Sequence, residues 1–99
     1  MEKDKTILNF IEKLKLMLDF TLLKVVDNWS SDLCAFGLQK GNKLVYISTF
    51  NFVDKSVVKY DYDLELIDGL DETKIKILKE GRGVIEEELI EELRGFLEV

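Results

Sequence analysis

Two segments of the chain carry apolar residues at the spacing of an amphipathic helix. Residues 5–20 and residues 84–99 repeat apolar side chains every three or four positions, with charged residues elsewhere. The first stripe comprises Ile7, Phe10, Ile11, Leu14, Met17 and Leu18, widened by Leu8 and Leu16, and the second comprises Ile85, Leu89, Leu93, Phe96 and Leu97. The pattern therefore predicts one helix at each end of the chain, with these stripes buried.

The segment after the first helix predicts short strands. Residues 22–28 suit a strand, and the two apolar runs that follow are joined by the two-residue loop Gly41-Asn42, which is typical of a hairpin. A two-residue loop there pairs Leu38 with Val45, Phe36 with Ile47, Cys34 with Thr49, Gly37 with Tyr46 and Leu33 with Phe50. We expect the Tyr46 ring to cover the backbone at Gly37.

Residues 57–68 alternate strictly and predict a strand with two different faces. Val58, Tyr60, Tyr62, Leu64 and Leu66 point one way, and Lys59, Asp61, Asp63 and Glu65 point the other. The apolar set predicts the packed face, and the acidic set predicts a face in contact with water.

The next segment is the least defined. Residues 68–73 resemble a turn, and the alternation in 74–80 favours a fifth strand, with a short helix as the alternative. Gly81-Arg82-Gly83 is expected to break that segment. The chain is thus predicted to be one α+β domain over residues 1–99, a four- to five-stranded antiparallel meander with an N-terminal and a C-terminal helix in the order α-β-β-β-β-β-α.

The distribution of charge along the chain limits the kinds of partner that the protein is expected to bind. The net charge is −6, but residues 1–60 carry +2 and residues 61–99 carry −8. Such a field repels nucleic acid and anionic membranes and attracts basic proteins. No apolar run is long enough to span a bilayer, and the N-terminus does not resemble a signal peptide. The single cysteine fits a reducing cytoplasm.

The residue types argue against catalysis. The chain has no histidine, which removes the commonest general base and metal ligand. Cys34 is expected in the core, where the predicted register supplies no cation to activate its thiol. Gly81-Arg82-Gly83 is expected to be a plain turn, because Glu86–Glu88 after it would oppose a bound phosphate. We therefore predict no enzyme activity and no cofactor.

The row Asp61, Asp63 and Glu65 has two remaining interpretations. A metal site would need ligands from a second element, and glycosidic chemistry would need aromatic platforms on the same face. The row is then either a solvated face or a docking face for a basic protein. Trp29, in the predicted turn at residues 28–32, is either an interface anchor or a plug at one end of the core.

At the level of pattern, the stretches LVYISTFNF and YDYDLEL followed by an acidic helix resemble the small acidic immunity proteins of bacterial toxin–immunity systems. That resemblance implies a cytoplasmic inhibitor that neutralises a basic toxin by charge-complementary occlusion. The expected partner-binding residues are Asp61, Asp63, Glu65, Glu87, Glu88, Glu91, Glu92 and Trp29.

The chain also resembles type III secretion chaperones, which are small, acidic and usually dimeric, with an N-terminal helix before three strands. A structural domain of unknown role is the third alternative. Whether the acidic helix lies beside the strand row or across the sheet from it decides whether the two acidic groups can form one interface.

Overall fold

The computed structural model describes residues 2–27, 31–68 and 71–99, and at 68 and 71–74 it describes the backbone alone. The elements in chain order are α1 (Lys5–Met17), a 3₁₀ turn (Phe20–Leu22), β1 (Lys24–Val26), β2 (Ala35–Lys40), β3 (Lys43–Ser48), a 3₁₀ turn (Phe50–Phe52), β4 (Tyr60–Asp68), β5 (Asp71–Val84) and α2 (Glu86–Leu97). All five strands form one antiparallel sheet in the order β1-β2-β3-β4-β5. The predicted α+β meander with a helix at each end is confirmed.

The helices are shorter than predicted because local signals end them. Asp4 caps α1 by accepting the Thr6 N–H at 2.9 Å. After Met17 the chain turns, and Asp19 accepts the Thr21 N–H at 3.0 Å to cap the first 3₁₀ turn. At the other end, residues 84 and 85 are the last residue of β5 and the N-cap of α2.

The hairpin register is confirmed for three pairs and fails at its open end. Leu38 faces Val45, Phe36 faces Ile47, and Gly37 faces Tyr46. The Thr49 N–H donates to the Cys34 carbonyl at 3.0 Å, which retains that contact just beyond the strands. The predicted Leu33–Phe50 pair is wrong, because the backbone leaves the sheet at Thr49 to begin the second 3₁₀ turn and both side chains are exposed.

β5 resolves the open question in the last third of the chain. Residues 74–80 are strand, and the strand continues through residues 81–83, so the expected break there is wrong. The chain can continue because the β4–β5 register shifts near Tyr60/Tyr62 and Leu64/Glu65, which takes up extra residues of β5 as bulges. The predicted turn at 68–73 is shorter, since Asp68 and Asp71 already belong to strands and residues 69–70 lie outside the described part.

Gly81 provides the space for a buried aromatic ring. The position that a Cβ would occupy there lies 2.0 Å from an atom of the Tyr62 ring, so the ring covers this strand glycine. Tyr62 is 2% exposed. The sequence predicted the same arrangement for Tyr46 and Gly37, which are register partners on β2 and β3.

Both helices pack on the same face of the sheet. The core combines α1, α2 and the apolar side of β2, β3 and β4, with the Phe10 ring 4.5 Å from the Tyr60 ring between centroids. Four stripe residues expected inside are exposed, namely Leu8, Leu16, Met17 and Ile85, because the stripes are narrower and the helices end earlier. Ile90, which the predicted stripe omitted, is buried.

The C-terminal end of α2 is held by the hairpin. Lys40 donates to the carbonyls of Leu97 and Glu98 at 2.9 and 3.2 Å, and Lys43 donates to the Phe96 carbonyl at 2.9 Å. Ammonium groups at the last carbonyls of a helix complement its dipole. Within the described ranges, no helix has the length and apolar character needed to cross a membrane.

Candidate partner-binding surface

The two predicted acidic groups lie on opposite faces of the sheet. Asp61, Asp63 and Glu65 alternate with Tyr60, Tyr62 and Leu64, which belong to the core beneath α1 and α2. The acidic residues of β4 therefore face away from both helices. The strand row and the acidic side of α2 cannot form one continuous surface.

Asp61 is a buried carboxylate that joins three parts of the fold. It is 9% exposed. One oxygen accepts the Gly83 N–H at 2.9 Å, and the other accepts a side-chain N–H of Asn51 at 2.8 Å. Gly83 has φ +61°, in the left-handed region that favours glycine. The expectation of a water-exposed position is wrong for Asp61, because its carboxylate ties β5 and the second 3₁₀ turn to β4.

Asp63 is paired with a cation from β5. Its carboxylate lies 3.0 Å from the Arg82 guanidinium, which also donates to the carbonyls of Tyr62 and Gly81 at 3.0 and 2.8 Å. The hydrogen bond that the guanidinium donates to Asp63 is the largest cause that raises the pKa of Arg82. Asp63 is therefore half-buried, and the positive charge of Arg82 balances its negative charge.

Glu65 is a buried carboxylate. It is 8% exposed, and among the residues that the structure describes its Oε2 atom has no hydrogen-bond partner. Burial, followed by the negative charge of Asp63, raises the pKa of the Glu65 carboxyl. The expectation of a solvated face is therefore wrong for Glu65 as well.

The acidic residues of α2 divide into paired and outward ones. Glu86 pairs with Lys13 of α1, and Glu92 pairs with Lys79 of β5 at 2.5 Å. Glu87, Glu88 and Glu91 are exposed, and their spacing of three and four residues places them on one side of the helix. We call these three residues the α2 acidic surface. The nearest cation to Glu91 is Arg94 at 3.7 Å, an exposed ion pair of small energy.

A pocket of about 260 Å³ opens beside Asp61, on the face of the sheet away from the helices. Its walls are Asp32, Tyr46, Ser48, Phe50, Asn51, Asp61 and Arg82. We call it the Asp61 pocket. Sequence reasoning identified Asp61 but missed Asp32 and Phe50, because two loops bring these residues together and hydrophobic periodicity carries no information about loop paths.

The larger cleft of the fold has a mixed lining. It measures about 670 Å³ and lies between α1, the loop at residues 53–58 and the start of α2. Lys5, Lys13 and Lys55 line it together with Glu86 and Glu87. Tyr60 forms part of its floor, and burial, together with the Glu86 charge, raises the pKa of Tyr60 to about 12. That hydroxyl stays protonated at neutral pH and is no general base.

The remaining candidates for chemistry are the Cys34 thiol and a metal site. Cys34 is half-buried, and burial followed by the charge of Asp4 raises the pKa of its thiol, although Lys3 opposes the shift. The thiol therefore stays protonated and weakly nucleophilic. Among the residues that the structure describes, no cluster of three or more carboxylate or thiol ligands could hold a metal ion. Trp29 lies outside the described residues.

Comparisons of the chain with protein-family models, curated proteins and solved structures found no match.

Proposed function

We propose that this chain is a non-catalytic binding domain for a basic protein and acts as an immunity-type inhibitor. The α2 acidic surface is the observation that carries the proposal. Its three carboxylates point outward from a helix whose other side is fixed in the core, and they belong to the half of the chain that carries −8. The surface is therefore both negative and rigid.

The proposed mechanism is occlusion of a positively charged working surface on the partner. Complementary charges raise the rate of encounter and exclude wrong partners more than they add affinity. A helix held at both ends presents such charges with little loss of conformational freedom on binding. Lys13 near its start and the hairpin lysines at its end provide that support.

The proposal changes the relative importance of the predicted site residues. Asp61 and Glu65 are buried, and Asp63 already has a cation. Glu92 is likewise paired with Lys79. Glu87, Glu88 and Glu91 thus become the first residues to test, ahead of the strand row.

The experiment uses isothermal titration calorimetry to measure binding of the basic protein that an immunity-type inhibitor would have encoded beside its gene. The triple variant E87Q/E88Q/E91Q removes the α2 acidic surface, and E2Q/E12Q/E98Q removes three exposed carboxylates elsewhere, so both change the net charge equally. We expect at least a tenfold loss of affinity in the first variant only. Equal affinity of both variants would overturn the assignment of this surface.

A second candidate function is that of a secretion-type chaperone, and the exposed edge of β5 favours it. Ile75, Ile77 and Leu78 are each about half exposed on β5, which lies at the edge of the described sheet beside β4. Apolar residues on an open edge strand favour association with another chain. Light scattering distinguishes the candidates, because such a chaperone is a tight dimer and the inhibitor needs no second copy.

A further inference from the structure

The Asp61 pocket lies where five segments of the chain meet, including β5, which contributes Arg82. β3 ends at Ser48, β4 begins just before Asp61, and the 3₁₀ turn carries Phe50 and Asn51. The loop before β2 adds Asp32. The pocket is open to solvent through its rim, where Phe50 is 66% exposed.

The pocket has an excess of negative charge. Two carboxylates, Asp32 and Asp61, line it against one guanidinium, Arg82. Arg82 is already committed to Asp63 and to two backbone carbonyls. Lys3 approaches the carbonyl of Asp32, but its charge is balanced by Asp27 at 2.6 Å.

Both carboxylates retain capacity to accept hydrogen bonds. A carboxylate offers roughly four acceptor positions. The described bonds use two at Asp61 and one, from the Cys34 N–H, at Asp32. Further donors from a ligand can therefore be satisfied inside the pocket without displacing the bonds that hold its walls.

Two aromatic residues complete the walls. Phe50 and Tyr46 line the same space as the carboxylates. An aromatic face attracts a cation, and a planar guanidinium stacks on it as well. Carboxylates with an aromatic wall suit arginine better than lysine, because the guanidinium can stack and donate several hydrogen bonds in its own plane.

The geometry points to the Asp61 pocket as the receptor for an arginine side chain of the protein partner. This inference rests on the proposed function, because a basic protein supplies such a side chain. The walls are fixed before binding: Asp61 is held by Gly83 and Asn51, and the Phe50 N–H donates to the Ser48 hydroxyl at 3.1 Å. A preformed receptor loses little conformational entropy when the ligand enters.

The test titrates the ¹⁵N-labelled full chain with N-acetyl-arginine amide and follows backbone amide shifts. We expect saturable shifts confined to Ser48, Phe50, Asn51 and Gly83, with a dissociation constant in the millimolar range typical of so small a ligand. N-acetyl-citrulline amide has nearly the same shape without the charge, and we expect it to bind at least tenfold more weakly. The absence of saturable shifts at these residues, or equal binding of citrulline, would overturn the inference.

Two variants test the walls separately. Phe50→Leu keeps an apolar side chain at an exposed position and removes the ring, and Asp32→Asn keeps an oxygen for the Cys34 N–H and removes the charge. We expect each to weaken arginine binding at least fivefold with an unchanged ¹⁵N spectrum elsewhere. Unchanged binding in both would overturn the inference. N-acetyl-lysine amide is the last probe. If it binds as tightly as N-acetyl-arginine amide, the pocket does not select a guanidinium group, and the inference is wrong.

Failure of the arginine-pocket inference can be distinguished from failure of the proposed function. The variant E87Q/E88Q/E91Q leaves the pocket intact, so we expect it to bind the arginine probe as the unaltered chain does. One outcome is that N-acetyl-arginine amide does not bind, while calorimetry shows that E87Q/E88Q/E91Q has lost affinity for the protein partner. In that case only the pocket assignment is wrong. If the probe binds and that variant keeps the partner, only the α2 assignment is wrong.

Discussion

At the residue scale, the buried negative charge of Glu65 lowers the stability of the fold. Its Oε2 atom is buried with no hydrogen-bond partner in the described part of the chain, and burial raises the pKa of its carboxyl above the usual 4.5. At neutral pH the folded protein therefore holds a carboxylate that the unfolded chain would keep in water. Below pH 4.5 the group is protonated in both states, and the cost disappears.

We therefore expect Glu65→Gln to raise the free energy of unfolding at neutral pH by about 1 kcal/mol, because a neutral amide costs less to bury than a carboxylate. The gain should vanish below pH 4.5, because the wild-type carboxyl is then neutral as well. Urea unfolding at the two pH values measures the difference. Glu80→Gln, an exposed position on the neighbouring strand, serves as the control and should change little. A gain that persists in acid would contradict this account of Glu65.

Gly81 and Gly95 form a second residue-scale test with opposite signs. A Cβ at Gly81 would meet the Tyr62 ring at 2.0 Å, whereas nothing lies within 4 Å of a Cβ at Gly95 inside α2. We expect Gly81→Ala to destabilise the fold by about 2 kcal/mol or more, since the buried ring must shift. Gly95→Ala should stabilise it by about 0.5–1 kcal/mol through helix propensity. Thermal unfolding of both variants measures this contrast, and equal effects would contradict the described packing of Tyr62.

The sequence could predict which way each residue of β4 points, but not what it meets. Alternation identified Tyr60, Tyr62 and Leu64 as core residues. The burial of Asp61 accompanies its hydrogen bonds to Gly83 of β5 and to Asn51 of the second 3₁₀ turn. Those features depend on tertiary contacts between distant segments, which the local pattern of one strand does not contain.

At the element scale, α2 begins without a side-chain cap. Ile85 occupies the N-cap position with φ −74° and ψ 160°, and no side-chain hydrogen bond closes the first turn. Glu86, Glu87 and Glu88 in that turn favour the helix through its dipole. A hydroxyl at residue 85 could accept a hydrogen bond from a backbone N–H of this first turn.

We expect Ile85→Ser to be more stable than Ile85→Ala by about 1 kcal/mol, the usual advantage of a capping hydroxyl. Both variants remove the same half-exposed apolar side chain, so the comparison isolates the cap. Urea unfolding of the two proteins measures the difference. Equal stabilities would mean that the start of α2 is satisfied in another way.

Element types were more predictable than element ends. Periodicity located both helices, the hairpin and a strand over 74–80. It extended the helices too far, because Asp19 caps the first 3₁₀ turn and Val84 still belongs to β5. It also placed a break at residues 81–83, where Gly81 accepts the Tyr62 ring and Gly83 allows a left-handed backbone inside the strand. Glycine inside a strand often marks a bulge or a close approach of another group.

At the scale of the whole molecule, the sheet separates two kinds of negative charge. The strand row lies on one face, where Asp61 and Asp63 hold β5 and the second 3₁₀ turn in place. The α2 acidic surface lies over the other face and points outward. Net charge in the sequence predicted an attraction for basic proteins, but only the fold shows which carboxylates remain free to meet one.

The most direct test of the central claim is the association rate with the basic partner as a function of salt concentration, measured by stopped-flow fluorescence. Electrostatic steering by the α2 acidic surface predicts a rate that falls steeply with added salt, and a rate for E87Q/E88Q/E91Q that is at least tenfold lower at low salt and nearly independent of salt. The matched variant E2Q/E12Q/E98Q should behave like the unaltered chain. If the two triple variants instead show the same rates and the same salt dependence, the α2 acidic surface does not guide the partner, and the central claim is wrong.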